Sequence, residues 1–345
     1  RMTFMFVAAP KWLQSTAPEV VASTAVGTGP LKLVEWSKGQ YYLLQANEAY
    51  WGAQKARVQE VRILIRKEST VRANMIATGE ADFVSQLGYP DAKGLARAVS
   101  ASSARVQGIR LNTRHPILKD LRVRKALAWA VDLNAIAETI YAGKGTPPNG
   151  QMVNKTAVGW NPDLKPYPYD PNGARQLLKE AGAEGAKFTL ISQQGYGIMG
   201  GDLMEALVGF WQKIGLNVNL QMVEAAKRTE YMAATKPGAP QSELLHVQHG
   251  NDLMDSELTL TSYYLGSGGN SQLSDPKLDD LIDKARPLSG DARSKAFREA
   301  WAYAYDQYAW IPVNIPEIIF GLGKNVDWTP RLDGIVYFSQ MGFTS

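Results

Sequence analysis

The chain has no cysteine among its 345 residues, so disulfides, thiolate metal sites and cysteine nucleophiles are excluded at once. That absence is compatible with an oxidising compartment. No apolar run approaches the roughly 18 residues needed to cross a bilayer, and no membrane span is expected. Dense runs of Lys and Arg are missing too. The net charge of +4 is spread along the chain, and without a basic stripe to track phosphates nucleic acid is not expected as a partner. No segment repeats with a period of roughly 20–50 residues, which excludes solenoids and propellers. The opening RMTFMFVAAP lacks the longer apolar core and small-residue cleavage site of a signal peptide. It is expected to be folded chain, and a start on Arg1 reads as a piece of something longer.

What is present suits a folded α/β chain of two lobes. Hydrophobic residues make up 45% and charged residues 20%, enough apolar material for sizeable cores. Leu31 to Trp36 and Tyr41 to Ala46 read as a hairpin. Val61, Ile63 and Ile65 alternate as a strand, Ser69 is placed to cap a helix ending at Gly79, and Ala81 to Leu87 returns as a strand. Pro90 to Val99 is expected to be helical and Arg105 to Leu111 extended. That βαβαβ order predicts a mostly parallel sheet with covering helices.

From Asn112 to Gly145 two short helices follow in tandem. Asp120 can cap the first, with Val123, Leu127 and Val131 as its apolar stripe. Asp132 can cap the second, with Leu133, Ile136, Ile140 and Tyr141 inward and Gly143 just past its end. Arg122, Arg124 and Lys125 fall between the apolar positions and are expected to keep their charges in water. After a loop rich in Pro, Gly and Asn, Asp170 and Pro171 start another helix. Strands at Lys187 to Ser192, Asn217 to Val223 and Leu244 to Gln248 alternate with helices at Asp202 to Ile214 and Ala225 to Ala234. The second half is expected to repeat the first, with ligands at the carboxyl ends of the strands.

Several motifs bear on chemistry. Gly195-Tyr196-Gly197-Ile198-Met199-Gly200 matches the GxGxxG dinucleotide fingerprint, and Glu224 ends the next strand. Against that reading, Ser192, Gln193 and Gln194 separate the strand from the first glycine, and a glycine-rich loop facing a cleft is the alternative. His246 and His249 have a metal-ligand spacing on a helix, but in a strand residues three apart face opposite ways. His115, alone before a proline, is expected only to satisfy a loop. Asp252 and Asp255, in GNDLMDSE, can be an acid–base pair, an Asx-type turn, or a carboxylate held for a ligand cation. Tyr196, in a strand-to-helix loop, is a candidate platform, as is the Tyr263-Tyr264 pair.

Taken together, Gly27-Thr28-Gly29-Pro30 with LKLVEW, Asn47 with Tyr50-Trp51-Gly52, ATGEADFV, Leu111-Asn112, DLRVRKALAWAVD, the Tyr169-Asp170-Pro171 helix ending KEAG, SDPKLDDLIDKA and WIPV carry a resemblance. The chain resembles the solute-binding proteins of ABC importers, in the large peptide/nickel class that includes dipeptide- and oligopeptide-binding proteins. The resemblance implies a two-lobed periplasmic-binding-protein-like fold with a ligand cleft. Lobe one is then Arg1 to about Gly108 with a returning tail from about Phe320 to Ser345, and lobe two lies between, residues 109–319. Members carry a long further N-terminal segment, which this chain is expected to lack. In peptide-binding relatives an aspartate in a segment like D-x-x-D-P pairs with the peptide amine. Asp252 matches its first aspartate and Asp255 its second, but Ser256 stands for the proline and the usual preceding tryptophan is absent, which bears on peptide specificity because relatives also bind nickel chelates, opines and sugars.

The expected function is therefore extracytoplasmic, periplasmic or at the cell surface. A monomer captures a small molecule or peptide by lobe closure and delivers it to an ABC permease, with no cofactor, metal or catalysis. Asp252 is expected on a ligand cation, with Gln193, Tyr196, His249 and Tyr263 lining the lobe-two side and Ser85 and Gln86 on lobe one. The rival readings are a nucleotide-dependent oxidoreductase using the glycine loop and an interaction protein that keeps the fold without a small ligand.

Overall fold

The computed structural model describes residues 9–233, 235–331 and 334–344. Most of the expected folded N-terminal stretch, the last residue of the expected 225–234 helix and the terminal Ser345 lie outside them. In chain order the first elements are α1 (Pro10–Ser15), α2 (Pro18–Val21), β1 (Leu31–Ser37), β2 (Tyr41–Ala46), β3 (Glu60–Leu64), α3 (Ser69–Thr78), β4 (Phe83–Val84), α4 (Tyr89–Ala92) and β5 (Ala98–Ala101). Then come β6 (Arg105–Leu111), α5 (Leu121–Trp129), α6 (Leu133–Thr139), β7 (Gly145–Thr146), α7 (Pro171–Glu180), β8 (Lys187–Gln193), α8 (Gly200–Lys213), β9 (Asn217–Val223) and α9 (Ala225–Met232). The chain continues through β10 (Leu244–Gly250), α10 (Ser256–Tyr263), α11 (Pro276–Ala285), α12 (Gly290–Gln307) and β11 (Trp310–Pro316), and closes with β12 (Ile318–Leu322), β13 (Val326–Asp327) and β14 (Gly342–Phe343).

By packing, the chain divides into two compact units, residues 1–101 with 318–345, and residues 102–317. The expected boundary at Gly108 instead falls in the middle of β6, whose Gly108 pairs with Val247 on one side and Pro312 on the other. A side chain there would meet the Ile311 carbonyl at 2.8 Å, so glycine is what lets the strands close up. Phe320 likewise lies inside β12.

The first unit departs from the expected parallel sheet. Its β1-β2-β3 sheet is antiparallel throughout, with Trp36 stacked on its neighbour Tyr42. Its second sheet, β4-β12-β5, is antiparallel as well, because β12 from the end of the chain inserts between two strands that sequence order made neighbours. The helix expected over Pro90 to Val99 is only the short α4. Ser69 does not cap α3; its hydroxyl accepts from the Gly88 amide at 2.7 Å, tying the helix to the loop after β4.

The second unit is built on a six-stranded mixed sheet in the order β7-β11-β6-β10-β8-β9. Only the β8–β9 and β8–β10 pairs are parallel; β6 runs antiparallel to both β10 and β11. Helices α10 to α12 cover one face around Leu260, Leu278, Phe297, Trp301 and Trp310.

The tandem helices follow the sequence closely. Asp120 accepts from the Arg122 amide and Asp132 from the Ala135 amide, each at 2.9 Å, and Val123, Leu127, Val131, Leu133, Ile136 and Tyr141 are buried. Arg124 is the exception among the three cations. It is buried, and its guanidinium donates to the carbonyls of Leu118, Lys119 and Gln307 at 2.8–2.9 Å. Three carbonyl partners replace the water expected around it. Arg122 stays at the surface in an ion pair with Asp120, and Lys125 lies over the Trp129 ring.

Candidate functional site

In the second unit, the carboxyl ends of β8 and β10 lie beside the start of antiparallel β6, and the glycine loop 194–199 folds over them. Strand alternation sorts the side chains. Gln107, Ser192, His246 and Gln248 share one face, and Arg110, Gln193, Val247 and His249 the other, as the register of the three strands requires.

His246 is fully buried under the loop. Gly197 and Gly200 sit against it; a side chain at either would approach its ring within 3.1–3.2 Å. The Gln107 amide donates to the Ile198 carbonyl, so its oxygen faces the His246 Nε2 at 3.3 Å and accepts from it. His246 Nδ1 then accepts from the Ser192 hydroxyl at 2.9 Å. Burial, reinforced by the nearby Arg228, pushes the His246 pKa down to about 3, so the ring is neutral. The Ile198 carbonyl also accepts from Tyr141, and its amide donates to Gln248. The Ile198 amide and carbonyl of this fingerprint-like loop are thus spent on the protein itself, fastening the loop to the sheet.

Tyr196 uses its hydroxyl twice on β10, donating to the Gln248 carbonyl and accepting from the Gln248 amide. Its ring is covered by the Arg228 guanidinium, 3.5 Å from the ring centre, and Arg228 also donates to the His246 carbonyl at 3.0 Å. On the other face, His249 is buried and held by the Thr259 hydroxyl at 2.7 Å, and burial lowers its pKa to about 4. Its ring packs edge-on to Tyr263, which packs in turn against Trp310. The Tyr263 hydroxyl makes no hydrogen bond among the described residues; desolvation raises its pKa to about 12, so it remains a donor. Gln193 is half-buried at the end of β8.

The two aspartates part company. Asp255 caps α10 through the Glu257 amide and takes both arms of Arg293, which also reaches Glu257 at 2.6 Å. It is a structural carboxylate. Asp252, half-buried just beyond β10, has no hydrogen bond or ion pair among the described residues. His115 accepts from the Ile117 amide within its own loop. Among the described residues no group of three or more His, Asp or Glu can hold a metal.

Ser85 and Gln86 belong to the first unit. Ser85 lines a hollow of about 500 Å³ with Arg62, Met75, Asp82 and Phe338. Gln86 is exposed in a left-handed backbone conformation, and its carbonyl accepts from Arg72.

Sequence reasoning passed over Arg110 and Arg228. Arg110 lies between Ile109 and Leu111 in a strand with almost no exposure, and a cation inside such a run was the available signal. Its guanidinium donates to the carbonyls of Tyr231, Met232 and Asn270. Arg228 looked like any helix-surface charge.

Residues 2–272 match the family model described as "Bacterial extracellular solute-binding proteins, family 5 Middle". The chain belongs to this family. Heme-binding protein A of Haemophilus influenzae is 28% identical over 320 residues, covering 88% of this chain and 57% of that protein. The dipeptide-binding protein of Escherichia coli is 27% identical over 311 residues, with 86% and 57% covered. The chain thus spans less than two thirds of the length of these curated relatives. Among solved structures, the dipeptide-binding protein from Pseudoalteromonas sp. SM9913 in complex with Met-Leu superposes with a TM-score of 0.85 at 18% identity, covering 98% of this chain and 69% of that one. NikA from Staphylococcus aureus in complex with Ni(L-His)2 gives 0.83 at 16% identity, with 96% and 72% covered. At these identities the likeness establishes the two-lobed periplasmic-binding-protein fold. Family membership favours solute binding over the oxidoreductase reading of the glycine loop. Among the described residues no helix is long and apolar enough to cross a membrane.

Proposed function

We propose that this chain is part of an extracytoplasmic solute-binding protein of an ABC importer and that its solute is a small peptide or peptide-like amine. It takes the solute from the periplasm or cell surface and hands it to a membrane permease, acting as a monomer, without cofactor or catalysis and with no role for nucleic acid. The observation that supports an amine is Asp252. A half-buried carboxylate with no partner among the described residues, at the carboxyl end of a central strand, is a charge left free to meet a cation, whereas Asp255 three residues on is fully engaged. A charge-assisted contact of this kind contributes roughly 1.5–3 kcal/mol, enough to select an ammonium over a neutral group. Gln193 and Tyr263 are the further side chains with polar groups to offer, and His249 sets the Tyr263 ring. Ser85 and Gln86 are proposed as the first unit's contribution.

The test is to denature the purified full chain, identify any co-purified small molecule by mass spectrometry, and then titrate di- and tripeptides while following tryptophan fluorescence. Peptide binding that falls at least tenfold in Asp252→Asn is the expected result. Equal affinity of Asp252→Asn and wild type for amine-bearing and N-acetylated peptides would remove Asp252 from the site. Stabilisation by NAD or NADP in a thermal-shift assay would instead revive the dehydrogenase reading.

A further inference from the structure

The two histidines of β10 are held differently. His246 has both ring nitrogens bonded inside the protein, to Ser192 and to Gln107. His249 is 5% exposed, yet only one of its nitrogens is met. Its Nε2 faces the Thr259 hydroxyl at 2.7 Å, and Nδ1 has no hydrogen bond among the described residues. A polar atom on a ring buried this deeply ordinarily finds a partner.

Which nitrogen carries the proton follows from a chain of bonds that starts at the backbone. The Asn251 carboxamide brackets the peptide groups of Asp255: Oδ1 accepts from the Asp255 amide at 3.3 Å, and Nδ2 donates to the Asp255 carbonyl at 2.9 Å. Those two contacts fix which end of the carboxamide is the nitrogen. The second hydrogen on Nδ2 goes to the Thr259 oxygen at 3.2 Å. Thr259 is fully buried in α10, and its hydroxyl has no further partner among the described residues, so its own hydrogen goes to His249 Nε2. Nε2 is therefore the acceptor, and the hydrogen of the neutral ring sits on Nδ1. His249 thus does more than pack against Tyr263. It holds an N–H donor at the carboxyl end of a central strand, three residues before Asp252, where open α/β sheets take their ligands.

We propose that Thr259, itself set by Asn251, is a positioning residue that keeps His249 in the Nδ1–H tautomer, and that this N–H donates to an acceptor oxygen of the solute. The donor role rests on the solute-binding reading and deepens it. It makes His249 selective without any charge. A solute that brings an oxygen to this point is taken. One that brings an N–H is refused, because the lone pair of the ring is already held by Thr259 and the fixed tautomer has none left to accept with.

The experiment labels the histidine nitrogens isotopically in the full chain and correlates them with the ring C–H protons by NMR, His249 being assigned by its loss in His249→Gln. At neutral pH a protonated Nδ1 and a bare Nε2 are expected. A proton on Nε2 in the wild type overturns the proposal. Thr259→Val should let the proton move to Nε2, and Thr259→Ser should keep it on Nδ1. An unchanged tautomer in Thr259→Val removes Thr259 as the positioning residue; should that variant not fold, Thr259→Ala takes its place. A di- and tripeptide mixture is then added. The donor role is supported if binding displaces the Nδ1 signal and if retention, read by native mass spectrometry, falls roughly fivefold in Thr259→Val but not in Thr259→Ser. Retention with no displacement of the signal overturns it and leaves peptide binding intact. If the mixture is not retained, the peptide reading fails, and the donor is decided alone by two small probes: dimethyl sulfoxide, which only accepts hydrogen bonds, and methylammonium, which only donates them. An Nδ1 signal that responds to dimethyl sulfoxide alone supports the assignment, and any other pattern overturns it.

Discussion

The Arg228 guanidinium lies 3.5 Å from the centre of the Tyr196 ring while its Nη2 donates to the His246 carbonyl at 3.0 Å. One side chain of α9 therefore clamps the glycine loop and a central strand together. The clamp works only because the loop lies close to the sheet, and that closeness depends on particular glycines.

Gly197→Ala is expected to destabilise the chain by about 1–3 kcal/mol, since φ is +77° and the new methyl meets Gln107 at 3.0 Å and His246 at 3.1 Å. Gly201→Ala, in the first turn of α8 with nothing within 4 Å, should be neutral or stabilising by up to ~1 kcal/mol. Urea unfolding of the two variants checks the contrast; similar losses would mean that the loop does not press on the sheet.

The buried histidines predict a pH dependence. Their pKa values fall from 6.5 to about 3 for His246 and about 4 for His249 on folding. Between those limits the unfolded chain holds protons that the folded chain does not. Stability should therefore fall as pH drops below about 6.5, by ~1.4 kcal/mol per pH unit for each histidine, and these groups add no dependence above about pH 7.5. His249→Gln should show a shallower slope than wild type in urea titrations from pH 7.5 to 5; identical slopes would contradict the neutral buried ring.

Asp255→Ala removes a helix cap and leaves Arg293 short of its bidentate partner. A loss of about 2–4 kcal/mol is expected, read as a lower denaturation midpoint. Asp252→Asn, which breaks no contact among the described residues, should stay within ~0.5 kcal/mol of wild type. Equal losses at the two positions would show that Asp252 has a structural partner after all.

Arg124→Ala should destabilise by about 2–4 kcal/mol, because three carbonyls lose a buried charged donor. The neighbouring Arg122→Ala, which loses a surface pair with Asp120, should change stability by no more than ~1 kcal/mol. Thermal and urea unfolding of both variants distinguishes a buried anchor from a solvated helix face.

The local elements of this protein are legible in its residues. Asp120, Asp132 and Asp170 each cap the helix expected of them, because a cap is an interaction between a side chain and amides two or three residues away. The opposite facing of His246 and His249 was equally legible, since alternation is a property of any strand. The family resemblance rested on such local segments and held. Tertiary structure alone decided strand direction and charge environment. β12 enters between β4 and β5 from the far end of the chain, so no local pattern could show that this sheet is antiparallel. Arg124 and Arg122 stand two residues apart with the same chemistry, yet one is sealed under carbonyls and the other is in water. Arg110 of β6 reaches the Tyr231 and Met232 carbonyls at the end of α9, and no spacing along the chain encodes that meeting. A charge's hydration is set by everything folded over it, which is why the burial of Arg110 and Arg124 could not be read from the sequence.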